Sequence, residues 1–127
     1  PFMVEFEPMP NSPHILEGSR ICIDNDLPSA LRMQIKNELV LGYYEYGLAT
    51  GAHTIIGMMQ TLIMRRVYGS SGCGPSPLGR EQDIGGQRCL AAKMSVTNSM
   101  YEKVKMKLGN RNPVIGNLWT APESLAA

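Results

Sequence analysis

TGAHTIIGMMQTLIMRRVYG, residues 50–69, is the stretch on which the fold turns. Ile55, Ile56, Met58, Met59, Leu62, Ile63, Met64 and Val67 spread over every side of a helical projection, and Thr50 offers a cap at the start. From Tyr46 to Met64 there is no formal charge, and Arg65 and Arg66 follow, which has the outline of a membrane span with a basic flank. Gly47, Thr50, Gly51, His53, Thr54, Gly57, Gln60 and Thr61 make it too polar for lipid. The spacing therefore predicts a helix over 50–68, apolar all round and enclosed by protein. In one small domain part of that cover comes from a second copy. A homodimer is expected, with Gly51, Ile55, Gly57, Met58, Met59 and Leu62 at its interface and the two glycines allowing close approach.

Downstream, VYGSSGCGPSPLGREQDIGGQR, residues 67–88, packs six glycines and two prolines into one segment without periodicity. It lacks the Gly-Lys-Ser/Thr of a phosphate-binding loop. Gly85-Gly86 ahead of an expected helix offers amides to an anion, with Arg80 and Arg88 near, but a plain connector is the commoner meaning of such a loop. Cys73, between two glycines, reads as an exposed thiol. His14 and His53 do not stand at the spacing of a cysteine nucleophile's base. The loop reads as a clamp on a neighbour, with Cys73, Arg80 and Arg88 its candidate contacts. Helix is expected to resume near Gln87 or Arg88, bury Leu90, Met94, Tyr101, Val104 and Leu108, and stop at Gly109. Residues 113–127 read as a docking strand or arm behind a domain over 1–112.

Upstream, DNDLPSALRMQIKNELVLGYYEYG, residues 24–47, predicts a helix. Asp26 is its N-cap, Pro28 lies in its first turn, Leu27, Leu31, Ile35 and Leu39 form its stripe, and Gly47 ends it. Phe2, Val4 and Phe6 alternate with Met3, Glu5 and Glu7 as in a half-buried strand, and a second strand is expected over Ser19–Ile23. Pro8, Pro10 and Pro13 mark the loop between them. The sum is an α/β or α+β domain, a small sheet of short strands with three helices.

Composition narrows the chemistry. Of 127 residues, 43% are apolar and 18% charged, which suits one folded domain. Three cysteines without CxxC spacing and two scattered histidines suggest no metal, no disulfide framework and no cofactor. The start lacks a basic and apolar leader, so a chain that is not secreted is expected. Residues 1–64 carry seven acids and three bases; residues 65–127 carry nine bases and four acids. Lys103, Lys105, Lys107 and Arg111 cluster at the end of the last helix, and Arg65 and Arg66 extend the patch. Contact with RNA phosphate or an acidic protein face is the expected use of that end, against the plainer reading of a solvated helix terminus.

Two resemblances bear on function. Pro1 followed by an alternating strand resembles the start of the tautomerase superfamily, and implies an amino-terminal proline acting as general base. The intervening prolines depart from that family's strand–helix–strand order. The Met-rich profile, with GLATGAHTIIGMMQTLIM (47–64) and KVKMKLGNR (103–111), resembles the minor inner-capsid assembly cofactor of cystoviruses, the segmented double-stranded RNA bacteriophages. That resemblance transfers no functional residues. It implies a non-enzymatic homodimer that aids procapsid assembly and RNA packaging beside viral capsid protein and polymerase, in the virion inner capsid or host cytoplasm. The tautomerase is the enzyme alternative.

Overall fold

Residues 54–60 form a strand in the middle of a sheet. A computed structural model of the chain describes residues 3–9, 11–18, 22–110 and 112–115. Strand β1 (Ile15–Glu17) leads through helix α1 (Ser29–Ala49) to strand β2 (Thr54–Gln60), which pairs parallel to β1 with Leu16 opposite Ile55. A short helix α2 (Thr61–Ile63) runs on into a π-helical turn, Met64–Gly69. Strands β3 (Ser76–Pro77) and β4 (Gln82–Ile84) precede strand β5 (Gln87–Ser95), and helix α3 (Asn98–Leu108) follows. The order across the sheet is β1-β2-β5-β3, with β4 also on β5. The expected mixed α/β class, a small sheet with three helices, is what the chain adopts.

The strand explains the all-round apolar pattern. In β2, Ile55 joins the core beneath α1 and α3, while Ile56 packs against a second cluster on the opposite face. A strand covered on both faces and a helix covered all round carry the same composition. Two of the interface candidates find neighbours within one chain: Ile55 is buried, and a Cβ on Gly57 would lie 2.8 Å from the Gly18 carbonyl oxygen. Met58 and Leu62 are about half exposed, at 51% and 53%. No helix among the described residues is long and apolar enough to cross a membrane.

Residues 87–95, expected to open the last helix, are strand β5, antiparallel to β2 from Thr54–Ser95 to Gln60–Cys89. Gly85 and Gly86, at φ 60° and 82°, form the two-residue turn between β4 and β5. Both angles are positive, as the tight hairpin turn demands. The Gly86 amide donates to Asp83 Oδ1 at 2.9 Å, so the suggested anion cradle is a hairpin. Helix α3 begins at its cap, where Thr97 Oγ1 accepts from the Met100 amide at 3.0 Å, and ends at Gly109 with φ 71°, as expected.

Helix α1 begins at Ser29, with Pro28 and not Asp26 at the cap position, and runs past Gly47 to Ala49. It buries Val40, Leu41, Tyr44 and Gly47 and leaves Leu31 and Leu39 partly in water, so the predicted stripe is not the buried one. Residues 3–9 form no strand: Met3 is buried and Phe6 is 61% exposed, the reverse of the expected alternation. Their backbone instead ties to the sheet's other edge, where the Glu5 and Phe6 amides donate to the Leu78 carbonyl. Of the expected strand over 19–23, residues 19–21 lie outside the described residues, and Cys22 and Ile23 are not strand. The arm is described only as far as Ile115. There Glu45 accepts from the Val114 and Ile115 amides and from the Tyr101 hydroxyl, which tethers the segment to α1.

Candidate functional site

The parallel pair β1–β2 is short, and its end makes the site. The Gly18 amide donates to the Ile56 carbonyl at 2.8 Å, beyond the last paired residue of β1. Absence of a Cβ on Gly57 lets the two backbones meet there. Strand β2 continues to Gln60 without β1 beside it. A small cavity lies on the helix-covered face at this point. Its lining includes Ile55, Gly57 and Met59 of β2, Ala92 and Met94 of β5, Tyr43 of α1, and Met64 and Tyr68 of the π-helical turn.

Almost the whole lining is apolar. The cavity holds about 20 Å³, little more than one water. Met59, Met64 and Met94 are unbranched and adaptable, so the space can widen at modest cost. Tyr43 and Tyr68 stand with ring centroids 6.0 Å apart at 51°. Burial, and then the hydrogen bond with Tyr43, push the Tyr68 hydroxyl well above the ordinary tyrosine value, so it stays protonated. The π-helical turn brings Met64 and Tyr68 inward together: the Ser70 amide donates to the Arg65 carbonyl at 2.9 Å, one residue beyond α-helical spacing.

A second, larger recess runs along the first half of α1. It is a groove of about 670 Å³ between α1 and α2 with its π-helical turn. Arg32, Lys36 and Arg66 give it positive charge, and Met33, Leu62 and Val67 give it apolar walls. The Arg32 Nε is buried with no protein partner among the described residues. Lys36 of the groove and Tyr43 of the cavity lie two turns apart on α1.

The candidates from sequence fall in several places. Cys73 is fully buried in the main core, and burial pushes its thiol up. It is neither an exposed clamp contact nor a reactive thiol. Arg80 pairs with Glu5 at 2.7 Å and Arg88 with Glu81 at 2.8 Å. With Lys93 on Glu7, the Arg80 pair joins the acidic and basic parts of the chain internally, while Arg88–Glu81 stays within the basic part. Lys105 lies over the Tyr101 ring and against Glu102; Lys103 and Lys107 are exposed, as is Arg65. Pro1 and Arg111 lie outside the described residues. Of the candidates among the described residues, only Ile55, Gly57 and Met59 line the cavity and only Arg66 and Leu62 line the groove. Tyr43, Tyr68, Met64 and Met94 were missed because they come from three elements far apart in the chain.

An autoinducer synthase family model matches residues 2–104. The chain belongs to the autoinducer synthase family. Among solved structures, the CoA-dependent acyl-homoserine lactone synthase BjaI, bound to SAM and isopentyl-CoA, superposes with a TM-score of 0.74 at 21% identity, over 89% of this chain and 52% of that one. The CoA-dependent synthase MesI gives 0.74 at 18%, over 90% and 56%. The synthase LasI gives 0.64 at 24%, over 81% and 51%. At these identities the likeness is one of fold, and the chain spans about half the length of the synthases it matches. No curated protein sequence matches it.

Family membership overturns the viral reading. A family of synthases replaces the non-enzymatic assembly cofactor, and with it go the expected capsid, polymerase and RNA partners and the virion location. The physical cause is plain. A Met-rich profile reports adaptable packing, which a pocket needs as much as an assembly interface does. The tautomerase alternative falls too: the matched family is a synthase, and residues 3–9 lack the strand that supported it.

Proposed function

We propose that this chain supplies the acyl-donor site of an acyl-homoserine lactone synthase. The observation that carries the reading is the pairing of an apolar cavity with a basic groove along one helix. An acyl-CoA has the matching halves, a hydrocarbon tail and a polyanionic head. The tail would enter between β2, Tyr43 and Tyr68, and Arg32, Lys36 and Arg66 would face phosphate. The cavity's apolar walls keep water from the bound tail and fix the thioester carbon at the cavity mouth. With S-adenosylmethionine as the second substrate, its amine attacks that carbon and the CoA thiol leaves, which forms the amide. Closure of the lactone then releases methylthioadenosine.

Calorimetric titration with free CoA and a series of acyl-CoAs tests the site. Each buried methylene adds about 0.8 kcal/mol, roughly fourfold in affinity, until the cavity is full. Free CoA binding as tightly as every acyl-CoA would remove the cavity from the reading. Product analysis by mass spectrometry, with S-adenosylmethionine and the preferred acyl-CoA, tests the reaction itself.

A further inference from the structure

His14 and His53 looked scattered in sequence, yet parallel pairing of β1 and β2 brings them side by side. Each stands just ahead of its strand, and the His53 amide donates to the His14 carbonyl at 2.8 Å. Both are exposed, with ring centroids 6.0 Å apart and planes tilted by 36°. His14 Nδ1 lies 3.2 Å from the Gly51 carbonyl oxygen. A carbonyl only accepts, so Nδ1 carries the proton, and in the neutral ring the lone pair sits on Nε2. His53 Nδ1 lies 2.8 Å from Thr54 Oγ1, a hydroxyl that can accept its proton and leave Nε2 free as well.

These contacts have the form that orients metal-ligating imidazoles, one ring nitrogen held by the protein and the other presented outward. With metal–nitrogen bonds near 2.0–2.1 Å, two imidazoles on one ion hold their centroids roughly 5–6 Å apart. The observed 6.0 Å separation falls in that range. We propose that His14 and His53 form a two-imidazole site for a transition-metal ion such as Zn²⁺, Ni²⁺ or Cu²⁺, completed by water. The described residues include no cluster of three or more His, Cys, Asp or Glu. Two protein ligands make the site weaker than a structural zinc site. Neither histidine lines the acyl cavity or the basic groove, so the proposal is independent of the acyl-donor reading.

The experiment is calorimetric titration of untagged protein with NiCl₂ and ZnCl₂, and copper electron paramagnetic resonance for the nitrogen ligands. One ion per chain is expected, with a two-nitrogen signature. His14→Ala and His53→Ala should each weaken binding at least tenfold, and the double variant little more than either, because the chelate is already broken. Both side chains are exposed, and thermal melts without metal would check that the variants fold. A loss under tenfold in either single variant, or binding that follows the exposed Cys22 in Cys22→Ser, would overturn the site.

Discussion

The two faces of the sheet are built differently. On one, α1, the π-helical turn and α3 cover Ile55, Ala92, Met94 and Val96 with large side chains, and Val40, Leu41, Tyr44 and Val104 are sealed from water. On the other, a small cluster of Met3, Leu78, Cys89 and Ala91 is capped by the strap of residues 3–9. Ion pairs from Glu5 to Arg80 and from Glu7 to Lys93 fasten that strap. The contrast separates two ways of covering a strand: by packed helices, and by a peptide tied at its charged side chains. The small cavity lies on the helix-covered face, where side chains from several elements converge.

Substitutions on each face sharpen the contrast. Leu41→Ala on the helix side should cost most, about 3–5 kcal/mol by urea denaturation, because rigid helices cannot close the hole. Leu78→Ala on the strap side should cost about 2–3 kcal/mol, since the strap can settle into the space. Equal costs would mean that the strap is as rigid as the helices. Gly57→Val should cost about 1–3 kcal/mol and weaken acyl-CoA binding, because the new side chain meets the unyielding Gly18 backbone. Retained stability and affinity would dissociate that strand contact from the site. Thr97→Ala, which removes the α3 cap, should cost about 1 kcal/mol.

Glu5→Gln should have the smallest effect, visible mainly as a change of pH profile. Hydrogen bonds from the Arg80 side chain and backbone hold the Glu5 carboxyl below its ordinary value of 4.5. A carboxyl lowered on folding contributes above its unfolded pKa, and the contribution fades as pH falls through the folded one. The variant should therefore lose a little thermal stability at neutral pH and fall less on acidification. Identical acid limbs in both proteins would show that the strap pair adds nothing.

How legible each element was follows from how many faces it buries. Helix α3 buries Tyr101 and Val104 on one side only, and Thr97 and Gly109 mark its ends, so its latter part read correctly. Strand β2 has Ile55 buried on one face and Ile56 partly buried on the other, with apolar residues on both, which erased the two-residue alternation and left a pattern that also suits a helix. Strand β5 mixes alanines with Met94 and Lys93, and neither period stands out. The Gly85–Gly86 hairpin was the signal that could have rescued it, since a two-glycine turn between short runs predicts paired strands. The cavity was less legible still. Tyr43 and Tyr68 meet only because the π-helical turn follows β2 and α1 crosses above it, a consequence of topology.

The central position of β2 also governs the order of events at the ribosome. Its parallel neighbour β1 is made earlier, but its longer antiparallel ladder waits for β5, whose far end is Ser95. Until then Ile55, Ile56, Met58 and Met59 form an unpaired hydrophobic segment with one edge open to other chains. Synthesis that stalls between Gln60 and Gln87 leaves the nascent chain in its most adhesive form, and release of β5 ends that exposure in one step.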